Sequence, residues 1–146
     1  MKTYVLIISE KFPVHHPKAG EKTYFTFNIN HAHKLHTLRL NYPLWEKRIK
    51  EVQRGEAVIS LRTWLGKPYN SKQLEQLCFD KTSNIGIEKL VWLDGFEPTI
   101  GPYLIPLNVL TTNDGLFTND FLNWFPILPK EPMAIIHFTK FRYNEK

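Results

Sequence analysis

Residues 43 to 55 set the frame for the segments around them. Pro43 suits the first turn of a helix, Leu44, Trp45, Ile49 and Val52 recur at helical spacing, and Gly55 fits a C-terminal cap, so a helix is expected over about 43–53. The flanking segments are short and rich in β-formers. Thr3 to Ser9 reads as a first strand and Lys22 to Ile29 as a second. Val58 to Trp64 and Gln73 to Phe79 enclose the polar loop Gly66-Lys67-Pro68-Tyr69-Asn70-Ser71 and read as a hairpin. Further strands are expected at 85–93 and 103–110. After the turn Asn113-Asp114-Gly115, Thr118 caps a short helix that Pro126 follows, and Met133 to Tyr143 makes a last long strand. Many short strands with two helices predict an α+β protein built on a small barrel.

One domain over residues 1–146 is enough for this chain. With 146 residues, 42% of them hydrophobic, it can bury roughly 70% of its extended surface without staples. It has no internal repeat, no low-complexity tract and no Gly/Ser linker. The apolar run Tyr4 to Ile8 is too short for a signal core, and no segment approaches a spanning helix, so no membrane partner and a cytoplasmic location are expected. The single Cys78, between Leu77 and Phe79, agrees with a reducing compartment and reads as a small buried hydrophobe.

Chemistry concentrates in Lys34-Leu35-His36-Thr37-Leu38-Arg39. Strand alternation groups Thr37 with Arg39 on one face, and Lys34 joins them from the preceding loop. A neighbouring cation in a partly dry site lowers the proton affinity of a lysine, and a lysine that is sometimes neutral takes a proton from a hydroxyl. The same trio equally holds a phosphate or a base carbonyl with no chemistry at all. A strand whose polar side simply faces water is the plainer alternative.

Charge is distributed unevenly. Residues 31–72 hold nine Lys or Arg against Glu46, Glu51 and Glu56, a net +6 in a chain whose total is +5. The stretch 83–131 is acidic, with six carboxylates against Lys89 and Lys130. A localised basic field is the footprint of a polyanion partner, although Glu46 with Lys50 and Lys47 with Glu51 also make ordinary i,i+4 helix pairs. Arg62, Trp64, Lys67 and Tyr69 cluster around the hairpin loop, where the rings could stack on bases while the cations meet phosphates. Trp45, Trp92, Trp124, Phe121 and Phe125 fall at core spacings.

His31, His33 and His36 form His-x-His-x-x-His, half of a metallo-hydrolase signature, but Leu35 stands where that signature wants Asp. No metal ligand is therefore assigned and no cofactor is expected. His36 is expected to pack or to meet a backbone carbonyl. Asp114 lies in a turn before a helix, where capping backbone N–H groups is its default role.

Lys34-x-x-Thr37-x-Arg39, followed by a helix and a Gly-bearing strand entry, resembles the ASCH domain of the PUA-like superfamily. Leu44 to Arg48 leading through Gly55 to Val58 looks like that family's helix and barrel strand. Asn113 to Leu116 with Asp120 to Phe125 looks like its acidic turn and second helix, and Ala134 to Phe141 like its closing strand. The resemblance implies a PUA-like barrel with a cleft between barrel and helices, and a family that commonly binds RNA. In the family's small amidohydrolase acting on acetylated cytidine, a turn carboxylate joins the Lys and Thr. Here its position falls to Asp114, one methylene shorter than the family's Glu, and the chain adds a helix at 42–54 and a longer loop at 66–72.

Three functions follow as expectations. The first is a module binding RNA or a modified nucleotide through Lys34, Thr37, Arg39, Arg62, Trp64, Lys67 and Tyr69. The second is an amidohydrolase with Thr37 as nucleophile, Lys34 as its base, Arg39 as orienter and Asp114 as proton carrier. The third is a protein-interaction adaptor, for which the sequence offers nothing positive; no obligate protein partner is inferred.

Overall fold

The computed structural model describes residues 1–94 and 96–144. In chain order its elements are β1 (Lys2–Ile7), α1 (Phe25–Asn30), β2 (His36–Arg39), α2 (Tyr42–Gln53), β3 (Ala57–Trp64), β4 (Gln73–Phe79), β5 (Gly86–Leu93), β6 (Glu97–Ile100), β7 (Tyr103–Leu104), α3 (Leu107–Asn113), α4 (Thr118–Trp124) and β8 (Met133–His137). The strands form two sheets, ordered β1-β3-β4 and β2-β8-β5-β6-β7. The protein is thus α+β. No strand pairing joins the sheets into a closed barrel among the described residues.

Helix α2 ties the sheets together. Its start is fixed by the Asn41 side chain, which accepts from Leu44 N–H at 3.4 Å, and by Pro43 in the first turn. Its end is fixed by Gly55, whose φ of +80° places it in the left-handed region while its N–H reaches Val52 O at 2.9 Å. The buried face carries Trp45, Ile49 and Val52 and packs against β3, β5 and β8. Glu51 on the same helix accepts from Lys2 Nζ and Tyr4 Oη, both at 2.9 Å, and so anchors β1.

Strand β2 is an edge. Among the described residues it pairs only with β8, antiparallel from His36 opposite His137 to Arg39 opposite Ala134. Every residue of β8 is buried, as expected of a strand covered on both faces, and its other neighbour is β5. This pairing, together with the backbone bonds of Lys34 to Asn28 and Leu35 to Asn113, sets the position of 34–39.

Several expectations change. Residues 25–30 form a helix instead of a strand, because Phe25 and Ile29 bury an i,i+4 face that alternation over so few residues does not distinguish from a strand face. The strand expected at 103–110 shrinks to two residues, since Pro106 breaks pairing and starts α3. The last strand stops at His137, where the pairings with both neighbours end, and Thr139 Oγ1 then accepts from Phe141 N–H in a turn. Thr118 does not cap α4; its hydroxyl meets Thr111 Oγ1 at 3.0 Å. Cys78 is exposed on the outer side of β4 and is not a core residue. No helix among the described residues is long and apolar enough to cross a membrane.

Candidate functional site

A cavity of about 440 Å³ lies between β2, the 114–116 turn and the end of α4. Lys34, Thr37, Arg39 and Asp114 all line it, so the convergence that the motif required is present. Its remaining walls are chiefly apolar, with four rings, Phe25, Trp45, Trp124 and Phe125, among aliphatic side chains.

Lys34 is fully buried, 1% exposed. Its ammonium donates to the backbone carbonyl of Asp114 at 2.6 Å, lies 3.5 Å from Asp114 Oδ1 and sits 4.2 Å from the centroid of Phe25. Burial lowers its proton affinity below the ordinary 10.5; the Asp114 carboxylate opposes this and Arg39 adds to it. Gly115 makes the arrangement sterically possible, because a β-carbon there would meet the Lys34 stem.

Arg39 donates from Nη2 to Ile7 O at 2.5 Å, while its Nε is buried with no hydrogen-bond partner. Burial brings the guanidinium down to about 10, against the attraction of Asp114. Thr37 is buried at 6% exposure and borders the cavity, and its hydroxyl has no protein partner among the described residues. No hydrogen bond joins Lys34 Nζ to Thr37 Oγ1; the lysine is engaged with Asp114 instead. The cavity therefore offers an unused hydroxyl beside a buried guanidinium and four rings.

Asp114 does not cap α4. It ends α3, and its carboxylate reaches across to His36 Nδ1 at 3.0 Å. The ring's other nitrogen lies 2.6 Å from Tyr143 Oη, which also receives Asn113 Nδ2–H at 3.1 Å. The carboxylate is an acceptor, so His36 Nδ1 carries the proton and, in the neutral ring, Nε2 accepts from the tyrosine hydroxyl. Hydrogen bonds then run in one direction, Asn113 to Tyr143 to His36 to Asp114. Burial pushes the Tyr143 phenol above its usual value, which keeps it a donor. His36 is thus held by a carboxylate and a phenol, not by a backbone carbonyl.

A second buried pair backs the first. His137 stands edge-on to His36, 5.5 Å between centroids, and its Nε2 meets Glu88 Oε1 at 2.7 Å. Glu88 also accepts backbone N–H groups of Tyr143 and Asn144 at 2.8 and 2.9 Å. Burial drives His137 down to about 4, so the ring is neutral and donates from Nε2, leaving Nδ1 a buried acceptor without a partner.

The remaining expected ligand residues are elsewhere. Arg62 bonds Ser60 Oγ at 2.8 Å and Gln73 Oε1 at 3.2 Å; Trp64 packs on Tyr69 with centroids 5.3 Å apart; Tyr69 is 88% exposed. These three and Lys67 gather at the β3–β4 hairpin loop, and none lines the cavity. His31 and His33 are exposed, and among the described residues no group of three or more His, Cys, Asp or Glu is placed to hold a metal ion. Sequence reasoning assigned Trp45, Trp124 and Phe125 to the core and passed over Tyr143 and Asn113. The helical spacing of Trp45 carried a core signal only, and nothing local links Tyr143 to His36. No family model, no curated protein and no solved structure matches this chain.

Proposed function

We propose that the cavity binds a single nucleobase, as a nucleoside or as an unstacked base of RNA. One observation carries the reading. A cavity of about 440 Å³ has four rings in its apolar walls and a polar side formed by Thr37, Arg39 and the Lys34–Asp114 pair, with the Thr37 hydroxyl unspent among the described residues. Rings suit the faces of a base, and fixed donors suit its edge carbonyls. The ASCH resemblance of Lys34, Thr37 and Arg39 supports the same reading, and with it a PUA-like fold, a cytoplasmic setting and an RNA or nucleotide partner.

Binding is preferred over hydrolysis because Lys34 is committed to Asp114. An amidohydrolase needs Lys34 within reach of the Thr37 hydroxyl, and the two share no hydrogen bond. What favours the hydrolase as the second reading is the lowered proton affinity of Lys34 beside an unengaged threonine.

The test is a fluorescence titration. Trp45 and Trp124 both line the cavity, so the four ribonucleosides and N-acetylcytidine should perturb their emission saturably. Thr37→Val removes a hydroxyl that has no partner in the fold, and should weaken binding by roughly tenfold while leaving thermal stability intact. A flat trace with all five compounds overturns the proposal.

A further inference from the structure

A second, larger groove of about 640 Å³ adjoins the cavity. The two share Leu116 and lie against the same two chain segments, 23–27 and 112–116, one side chain apart. Unlike the cavity, the groove presents rings to solvent: Tyr24, Phe27 and Phe117 are 59%, 54% and 78% exposed. Tyr24 takes a φ of +60°, an expensive backbone for a tyrosine, yet its ring stacks on no other ring and its hydroxyl has no partner among the described residues. Phe27 already stacks on His31, centroids 4.0 Å apart, which fixes its plane.

Cations border the same rings. Lys18 Nζ lies 5.7 Å from the Phe117 centroid, though Asp120 partly offsets its charge at 2.8 Å. Lys22 lines the groove without an ion pair among the described residues. Its backbone stands opposite Lys11 in an isolated antiparallel bridge, so a second lysine lies on the neighbouring segment. The segment 9–24 thus brings Lys18 and Lys22 to the groove, as 31–72 brings Lys34 and Arg39 to the cavity.

We propose that this groove is a second nucleotide subsite, so that the ligand is a single-stranded RNA and not a free nucleoside. One base enters the cavity; the adjoining nucleotide crosses Leu116, lays its base on Tyr24 or Phe117 and brings its phosphate to Lys22. The inference rests on the cavity being a base site. Stacking of this kind tolerates any base, and each phosphate contact makes affinity fall with salt.

The experiment compares cytidine, followed by tryptophan emission, with a fluorescein-labelled cytidine hexaribonucleotide, followed by anisotropy. The hexanucleotide should bind at least about tenfold more tightly, and its affinity alone should drop several-fold in Lys22→Ala and Phe117→Ser. Tyr24→Gly, which removes the ring and relieves the backbone, should weaken the hexanucleotide while preserving the melting temperature. Equal affinity for both probes, with the three variants silent, overturns the subsite and leaves the cavity reading intact. Failure of cytidine itself to bind overturns the reading beneath. If Phe117→Ser instead converts a self-associating species to monomer in sedimentation, the groove joins copies of the chain and the proposal falls.

Discussion

Gly115 lies so close to the Lys34 stem that a side chain at 115 would press on the lysine. A β-carbon on Gly115 would lie 3.1 Å from Lys34 Cβ and 3.3 Å from its Cγ and Cδ, and φ at Gly115 is +84°. Gly115→Ala should therefore cost about 1–3 kcal/mol in urea unfolding, from backbone strain and from displacement of the lysine stem. Because Lys34 holds Asp114 O, the same variant should also weaken nucleoside binding. A stability change below about 0.5 kcal/mol would show that the contact relaxes freely.

Acid should unfold the protein through His137. Its folded pKa is about 4, below the ordinary 6.5, so the unfolded chain takes up a proton first as pH falls. The stability is fully present above 6.5 and drains between 6.5 and 4, on the order of 1–3 kcal/mol. Glu88 adds to the loss at the low end: despite burial, hydrogen bonds from His137 and two backbone N–H groups hold its pKa below 4.5. His137→Gln keeps a donor toward Glu88 and does not titrate, so its unfolding free energy should be nearly flat from pH 6.5 to 5.

Two neighbouring cations on α2 should separate binding from folding. Lys47 is exposed, whereas Arg48 lies with its guanidinium carbon 4.9 Å from the ring centroids of both Tyr4 and Trp45. Arg48→Glu should lower the melting temperature through the loss of stacking worth about 0.5–2 kcal/mol. Lys47→Glu should leave melting unchanged and, if the helix faces the RNA, weaken hexanucleotide binding most at low salt.

Turnover should be absent. Wild type and Thr37→Val, incubated with N-acetylcytidine and analysed by chromatography, should release cytidine at the same background rate, since Lys34 donates to Asp114 and not to Thr37. Release by wild type that Thr37→Val abolishes would replace the binding reading with the hydrolytic one.

How far the residues announced this arrangement depends on the range of each interaction. The helix at 42–53 and the β3–β4 hairpin are written in local signals, a proline, a glycine cap and a turn-rich loop, and were legible. The grouping of Thr37 with Arg39 needed only strand alternation, with Lys34 joining from the loop before β2, and it was legible too. Phe25 to Asn30 was not, because one and a half helical turns and a short strand share the same apolar pattern. The Asp114–His36–Tyr143 chain was invisible for another reason: its bonds span 78 and 107 residues and arise from β2 pairing with β8, which no local pattern encodes. The rings around the cavity carried the ordinary signature of core, since a pocket wall and a core wall bury the same side chains.

The pairing of β2 with β8 alone also decides when the site comes into being. Seven strands are synthesised before β8, and until it arrives β2 has no neighbour in its sheet. The β2–β8 pairing therefore closes late, and closure over a separation of about a hundred residues is slow. A nascent chain lacking Met133–His137 holds every cation of the site, and the residues that Lys34 and Arg39 bond, but not the strand that sets β2 in its sheet.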